Sequence, residues 1–169
     1  VPIVLHILGS ALFCLLGALQ FLPSLRRMRP DLHRRLGRLV ALGGVISAIT
    51  GLWMTLAYAF PLALQGPLLF WARIVFSLAM LGFIISAVVA IRSRNIPGHR
   101  AAILRAYAIG QGASTQTALF LIVVVFFGTE PFGFPRDVLM VAAWVINIAV
   151  AEALIRRLFV LRKANSTAL

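Results

Sequence analysis

The chain has 169 residues, of which 62% are hydrophobic, and it sets four acidic side chains against sixteen lysines and arginines. A soluble domain averages about 45–50% apolar and about 25% charged residues, so the composition excludes an ordinary soluble globule. The net charge of +12 would suit nucleic acid, but the arginines sit in short stretches at the ends of apolar runs, where positive charge sets membrane topology.

A run of about 20 apolar residues spans a bilayer. Five such runs predict an all-α, polytopic membrane bundle of five transmembrane helices in a single domain, 1–169, since no polar linker interrupts the pattern. The expected spans are about 3–22, 39–60, 68–91, 106–128 and 138–155. No basic n-region precedes the first run, so it is read as a span and not as a signal peptide.

The first span carries His6, Ser10, Cys14 and Gln20. His6 and Ser10 share a helix face. Gly9 and Gly17 allow close approach of another helix. Cys14 has no internal disulfide partner and reads as a small buried apolar side chain. Pro23 ends the run.

A basic turn follows, with six arginines among residues 26–38. Asp31 is placed to cap the next helix, and His33 falls near that helix's start. The second span offers the small-residue faces Gly44/Ala48 and Ser47/Gly51 for packing.

The third span holds Arg73 within its apolar run, roughly 9 Å from its start at 1.5 Å per residue. Arg73 either snorkels to the near interface or faces the polar half of the fourth span. A second basic turn groups Arg92, Arg94, Arg100 and Arg105 around Pro97-Gly98-His99. The fourth span opens small and polar (Gly110, Gln111, Gly112, Ser114, Thr115, Gln116, Thr117) and closes wholly apolar. Its polar half must face protein or trapped water. The fifth span carries Trp144, Asn147 and Glu152, followed by Arg156, Arg157, Arg162 and Lys163.

Fourteen of the sixteen basic residues thus lie at alternating ends of the spans. This places the N-terminus outside and both basic turns and the C-terminus in the cytoplasm. Anionic lipid headgroups are the natural partners of such clusters. The two turns echo each other (Pro, then His-Arg, then an apolar helix), so spans one–two and three–four are expected to form parallel, weakly repeated hairpins.

The order of these motifs resembles an uncharacterised bacterial membrane-protein family, the domain of unknown function numbered twenty-three oh six. The matching pieces are His6, Gly17-Ala18-Leu19-Gln20-Phe21, His33-Arg34-Arg35-Leu36-Gly37-Arg38, His99-Arg100, Arg105-Ala106-Tyr107-Ala108, Trp144 with Asn147, and Ala151-Glu152. The resemblance covers nearly the whole chain and implies a multi-pass protein of the bacterial cytoplasmic (inner) membrane. Relatives tend to carry an aromatic residue where this chain has Ala101-Ala102, and often an arginine where it has Gln116. Arg73 is positioned to supply that charge from another helix.

The sequence holds no nucleophile elbow, phosphate loop, paired-cysteine metal motif or HExxH, and its few acids make a carboxylate-pair hydrolase hard to build. The sharpest candidates are His33 and His99. Each is expected in the first turn of a helix, at one depth, where two imidazoles can ligate haem iron while Arg34, Arg38, Arg100 or Arg105 meet the propionates. The same pair also reads as interfacial residues that cap, pack or meet a quinone or lipid headgroup. Glu152 pairs either with Arg156 on its own helix or with Arg105 across helices. In the second case it closes a cytoplasmic-side cavity lined by Gln111, Gln116, Asn147, Glu152, Arg73 and His6. Each of these polar residues also reads as packing glue, and His6 as bonded to a neighbouring helix. The sequence favours a membrane-embedded binding module for an anionic or redox ligand. A small-molecule transporter and an accessory subunit of a larger complex are the alternatives.

Overall fold

A computed structural model describes the backbone of residues 1–167 and the side chains of residues 1–157, so the basic side chains of Arg162 and Lys163 lie outside the described residues. Seven helices follow in order: α1 (Pro2–Gln20), α2 (Pro23–Met28), α3 (Pro30–Ala57), α4 (Pro67–Arg92), α5 (Ile96–Gly110), α6 (Gly112–Phe127) and α7 (Phe134–Thr167). No strand occurs among the described residues. Four helices (α1, α3, α4 and α7) are long and apolar enough to cross a membrane, and α5 with α6 counts as a fifth when taken as one broken span.

Proline sets most of the boundaries. It pre-forms the first helical turn, where its missing N–H is not needed, and it pushes the preceding residue out of the α region. Leu22 before Pro23 is extended, and Arg29 before Pro30 leaves the helical region. The first basic stretch is therefore not a plain turn. It is the short helix α2, a corner at Arg29, and the opening of α3. Asp31 does not cap α3. Its carboxylate accepts from Arg34 at 2.7 Å on the exposed surface, and α3 has no side-chain cap. At the second basic turn the cap is Asn95, whose side chain accepts from the Gly98 N–H at 3.0 Å.

The fourth span is not one straight helix. It bends by 41° between α5 and α6, at the sequence Gly110-Gln111-Gly112. A break leaves backbone carbonyls without their helical partners, and lipid cannot satisfy them. Here other helices supply the donors. Asn147 donates to the Ala108 carbonyl at 3.1 Å, and Trp144 Nε1 donates to Ile109 at 3.2 Å. The Cys14 thiol reaches Gly110 at 3.5 Å. Gly112 is required by closeness, because a Cβ there would overlap the Trp144 indole.

The start of α4 is held in a related way. Gly66 offers no capping side chain. Asp137, fully buried on α7, accepts from the Gly66 N–H at 3.1 Å and the Leu69 N–H at 3.2 Å. A carboxylate suits the positive end of a helix. A Cβ at Gly66 would sit 2.5 Å from that carboxylate.

The core forms where α1, α3, α4 and α5 meet. Phe13 is its centre, 1% exposed, with Val40, Ala48, Met80, Ile84, Ala106 and Ile109 around it. Gly44 and Gly110 flank the ring so closely that a Cβ at either would lie 2.6 Å from it. Contact is heaviest between α1 and α3, then between α4 and α5, so the two expected hairpins are present. The helix α2 and the 41° break each belong to one hairpin only.

Candidate functional site

The α-helical bundle encloses a cleft of about 530 Å³. It is bounded by the middle of α1 (from His6 to Leu15), the second half of α3, the first half of α4, the α5–α6 break and the start of α7. These segments all belong to the end of the bundle remote from the basic turns, and the cleft reaches from there to mid-depth. Ala11, Leu15, Ala113 and Ser114 line it and are also exposed on the bundle's flank. The cleft is thus open on the flank between α1 and α6, and the exposed Phe60 borders it at the far end of the bundle.

Its walls are mainly apolar, with Phe60, Phe76 and Trp144 among them and Met54, Met80 and Met140 as adaptable filler. Phe76 and Trp144 stack at 4.9 Å between centroids, 27° apart. Few polar groups converge on this space, the usual pattern of a small-molecule site.

His6 is the first of them. Its Nδ1 lies 2.9 Å from the Ser47 carbonyl oxygen and 3.2 Å from the Thr50 hydroxyl. A carbonyl can only accept, so Nδ1 carries the proton, and Nε2 of the neutral ring is left as an acceptor. Nε2 has no partner among the described residues. Arg73 is the second. It donates to Gln65 and lies 5.3 Å over the Phe60 ring. It makes no salt bridge among the described residues and is only partly exposed; the nearby Asp137 carboxylate is engaged with the Gly66 and Leu69 N–H groups. Ser77, one turn from Arg73, lines the same wall, near Gly51 and hence near His6. Gln116 donates its amide to the Met140 carbonyl at 3.0 Å, and its own oxygen accepts from no group among the described residues.

Of the residues expected to line one cavity, the structure brings together His6, Arg73 and Gln116. The others lie elsewhere, and the cavity is not at the basic end. Asn147 is tied to Ala108 and to the Thr115 hydroxyl at 2.9 Å. Gln111 lies at the break and accepts from Ser114 at 3.1 Å.

At the basic end Arg105 donates to Glu152 through Nε at 2.5 Å and Nη2 at 2.9 Å. This bidentate inter-helix pair joins α5 to α7, and Glu152 makes no salt bridge to Arg156. His99 Nδ1 bonds the Ala87 carbonyl at 2.9 Å, which ties the start of α5 to the end of α4. His33 lies within Coulombic reach of His99, but its Nδ1 is buried without a partner, as is the Gln20 amide nitrogen. Arg34 pairs with Asp31, and Arg38 and Arg100 are exposed. None of His33, His99, Arg34, Arg38, Arg100 or Arg105 borders the cleft.

Residues 3–155 match the model of the family described as "Predicted membrane protein (DUF2306)". The chain belongs to this family. No curated protein and no solved structure matches it. Of the residues on which the resemblance rests, Trp144 and Asn147 sustain the broken span, Arg105 and Glu152 join α5 to α7, and His6 faces the cleft. Three side chains that shape the cleft are not singled out by the sequence: Ser77 and Phe60, which line it, and Asp137, which holds the start of α4. Asp137 had a detectable signal, since a Gly66-Pro67 helix start leaves N–H groups that some distant acceptor must take.

Proposed function

We propose that this DUF2306 protein is a membrane-embedded binding module that admits a lipid-borne, oxygen-headed molecule sideways into the cleft. The observation that carries this reading is Arg73, a partly buried guanidinium without a salt bridge among the described residues, facing a mainly apolar cleft that opens toward the bilayer. Its head turns back to Gln65 and Phe60 in the segment before α4, the snorkelling direction, and a guanidinium beside an apolar cleft suits an oxygen acceptor there. The basic end is read as cytoplasmic in a bacterial inner membrane, with anionic headgroups against its exposed arginines. The N-terminus is then outside and the cleft belongs to the outer half. Haem is not part of this reading: the cleft holds one histidine, and the expected haem ligands His33 and His99 do not border it. Transport along the polar half of α6 finds no support either, since Thr115 and Gln116 are bonded into α7.

The test is mass spectrometry of small molecules retained by protein extracted in native-lipid discs. Wild type should carry a defined lipid-soluble compound. Ser77→Phe, which fills the cleft wall, should lose it while its melting temperature holds. Wild type with only bulk lipid, or a Ser77→Phe variant that retains the compound, would contradict the reading.

A further inference from the structure

The polar groups of the cleft are not interchangeable, and together they specify a ligand class. The Ser47 carbonyl fixes the His6 proton on Nδ1, so Nε2 asks for a hydrogen-bond donor. Arg73 has no acceptor function and asks for an oxygen acceptor or anion. Ser77, beside them, can serve either. A phosphodiester or a carboxylate meets Arg73 but has no proton for His6. A molecule that donates at one point and accepts at another meets both. The stacked Phe76–Trp144 pair and Phe60 line a space suited to a flat ring. The opening on the flank, with Leu15 71% exposed at its edge, leaves room for an apolar tail to remain among lipid chains.

We propose that the ligand is a lipid-soluble quinol, bound with one ring hydroxyl donating to His6 Nε2 and the opposite ring oxygen accepting from Arg73. This rests on the binding reading above and narrows it. The oxidised quinone carries two acceptors and no donor. It satisfies Arg73 but leaves His6 Nε2 unpaired once the ring covers it, and an unmet polar group costs free energy. The site therefore prefers the reduced form. The proposal concerns binding alone and needs no electron acceptor.

The experiment uses the full chain in nanodiscs under anaerobic conditions, with three probes: a decyl-substituted benzoquinol, the matching benzoquinone, and phosphatidate as an anionic lipid. Equilibrium partition against empty discs gives each affinity. The expected result is quinol binding about ten-fold tighter than quinone, the effect of one unmet hydrogen bond. That ratio should fall toward one in His6→Ala, whereas Arg73→Gln should weaken both ring probes. Equal wild-type affinity for quinol and quinone overturns the proposal without any variant having to fold. If phosphatidate alone enters the cleft, the quinol assignment is overturned and the binding reading stands. If no probe binds above empty discs, both fall.

Discussion

The two ends of the bundle place their charged side chains differently, although each also holds exceptions: His33 Nδ1 and the Gln20 amide nitrogen are buried without a partner at the basic end, and Asp137 is fully bonded at the other. At the basic end Arg105 has Glu152, His99 has the Ala87 carbonyl, and Arg34 has Asp31. At the other end Arg73 and His6 are anchored from behind, by Gln65 and Ser47, and their remaining valences face open space. Both ends carry charge, so charge alone does not mark a site. What separates them is where the unpaired charge sits: the unpaired arginines of the basic end, such as Arg38 and Arg100, are exposed, whereas Arg73 is partly buried and borders the cleft. An ion pair that is already closed is a fastener, whereas an anchored but unanswered group is available to a ligand.

The largest effect expected from breaking this arrangement is at Asp137. It holds the start of α4, and hence Arg73 and Ser77, in place. Asp137→Ala leaves two buried N–H groups without an acceptor and should destabilise the protein by about 2 kcal/mol. Thermal unfolding in discs would show the loss, and retained ligand should fall with it. A variant that melts like wild type and keeps its ligand would show that the α4 start needs no such anchor.

A smaller effect is expected at the closed end. Arg105 and Glu152 keep 29% and 33% of their side-chain exposure, so solvent weakens the pair. Arg105→Gln and Glu152→Gln should each cost about 1 kcal/mol, and the double change should cost less than their sum. Ligand retention should be unchanged in all three. Strict additivity would remove the pair as a fastener, and lost retention would erase the distinction between the ends.

The sequence makes some of this legible and hides the rest for physical reasons. The apolar runs announce the spans because a bilayer demands length and apolarity of every crossing segment. The Arg105–Glu152 pair is legible because so few acids exist that each cation near mid-chain has few choices. The break at Gln111 is not legible, because Gly110 and Gly112 occur equally well in a straight membrane helix. What accompanies the break is the pair of donors Trp144 and Asn147, distant in sequence; Asn147 reads from the sequence as cavity lining or packing glue, and Trp144 has no role assigned there. The depth of the cleft is hidden for the same reason. It depends on how α1 and α6 diverge, and no local pattern records that. The His6 tautomer follows only from a carbonyl on α3.

The most direct test of the central claim is to find where a lipid-borne molecule touches this protein. A photoactivatable quinol analogue with the reactive group on its ring can be incorporated into discs with the wild-type chain, and the crosslinked residues located by peptide mass spectrometry. The account predicts labels concentrated on cleft residues such as Ser77, Ala113 and Trp144, displaced by excess unlabelled quinol. Labels concentrated around His33 and His99, or scattered over the exposed faces and indifferent to competitor, would contradict it.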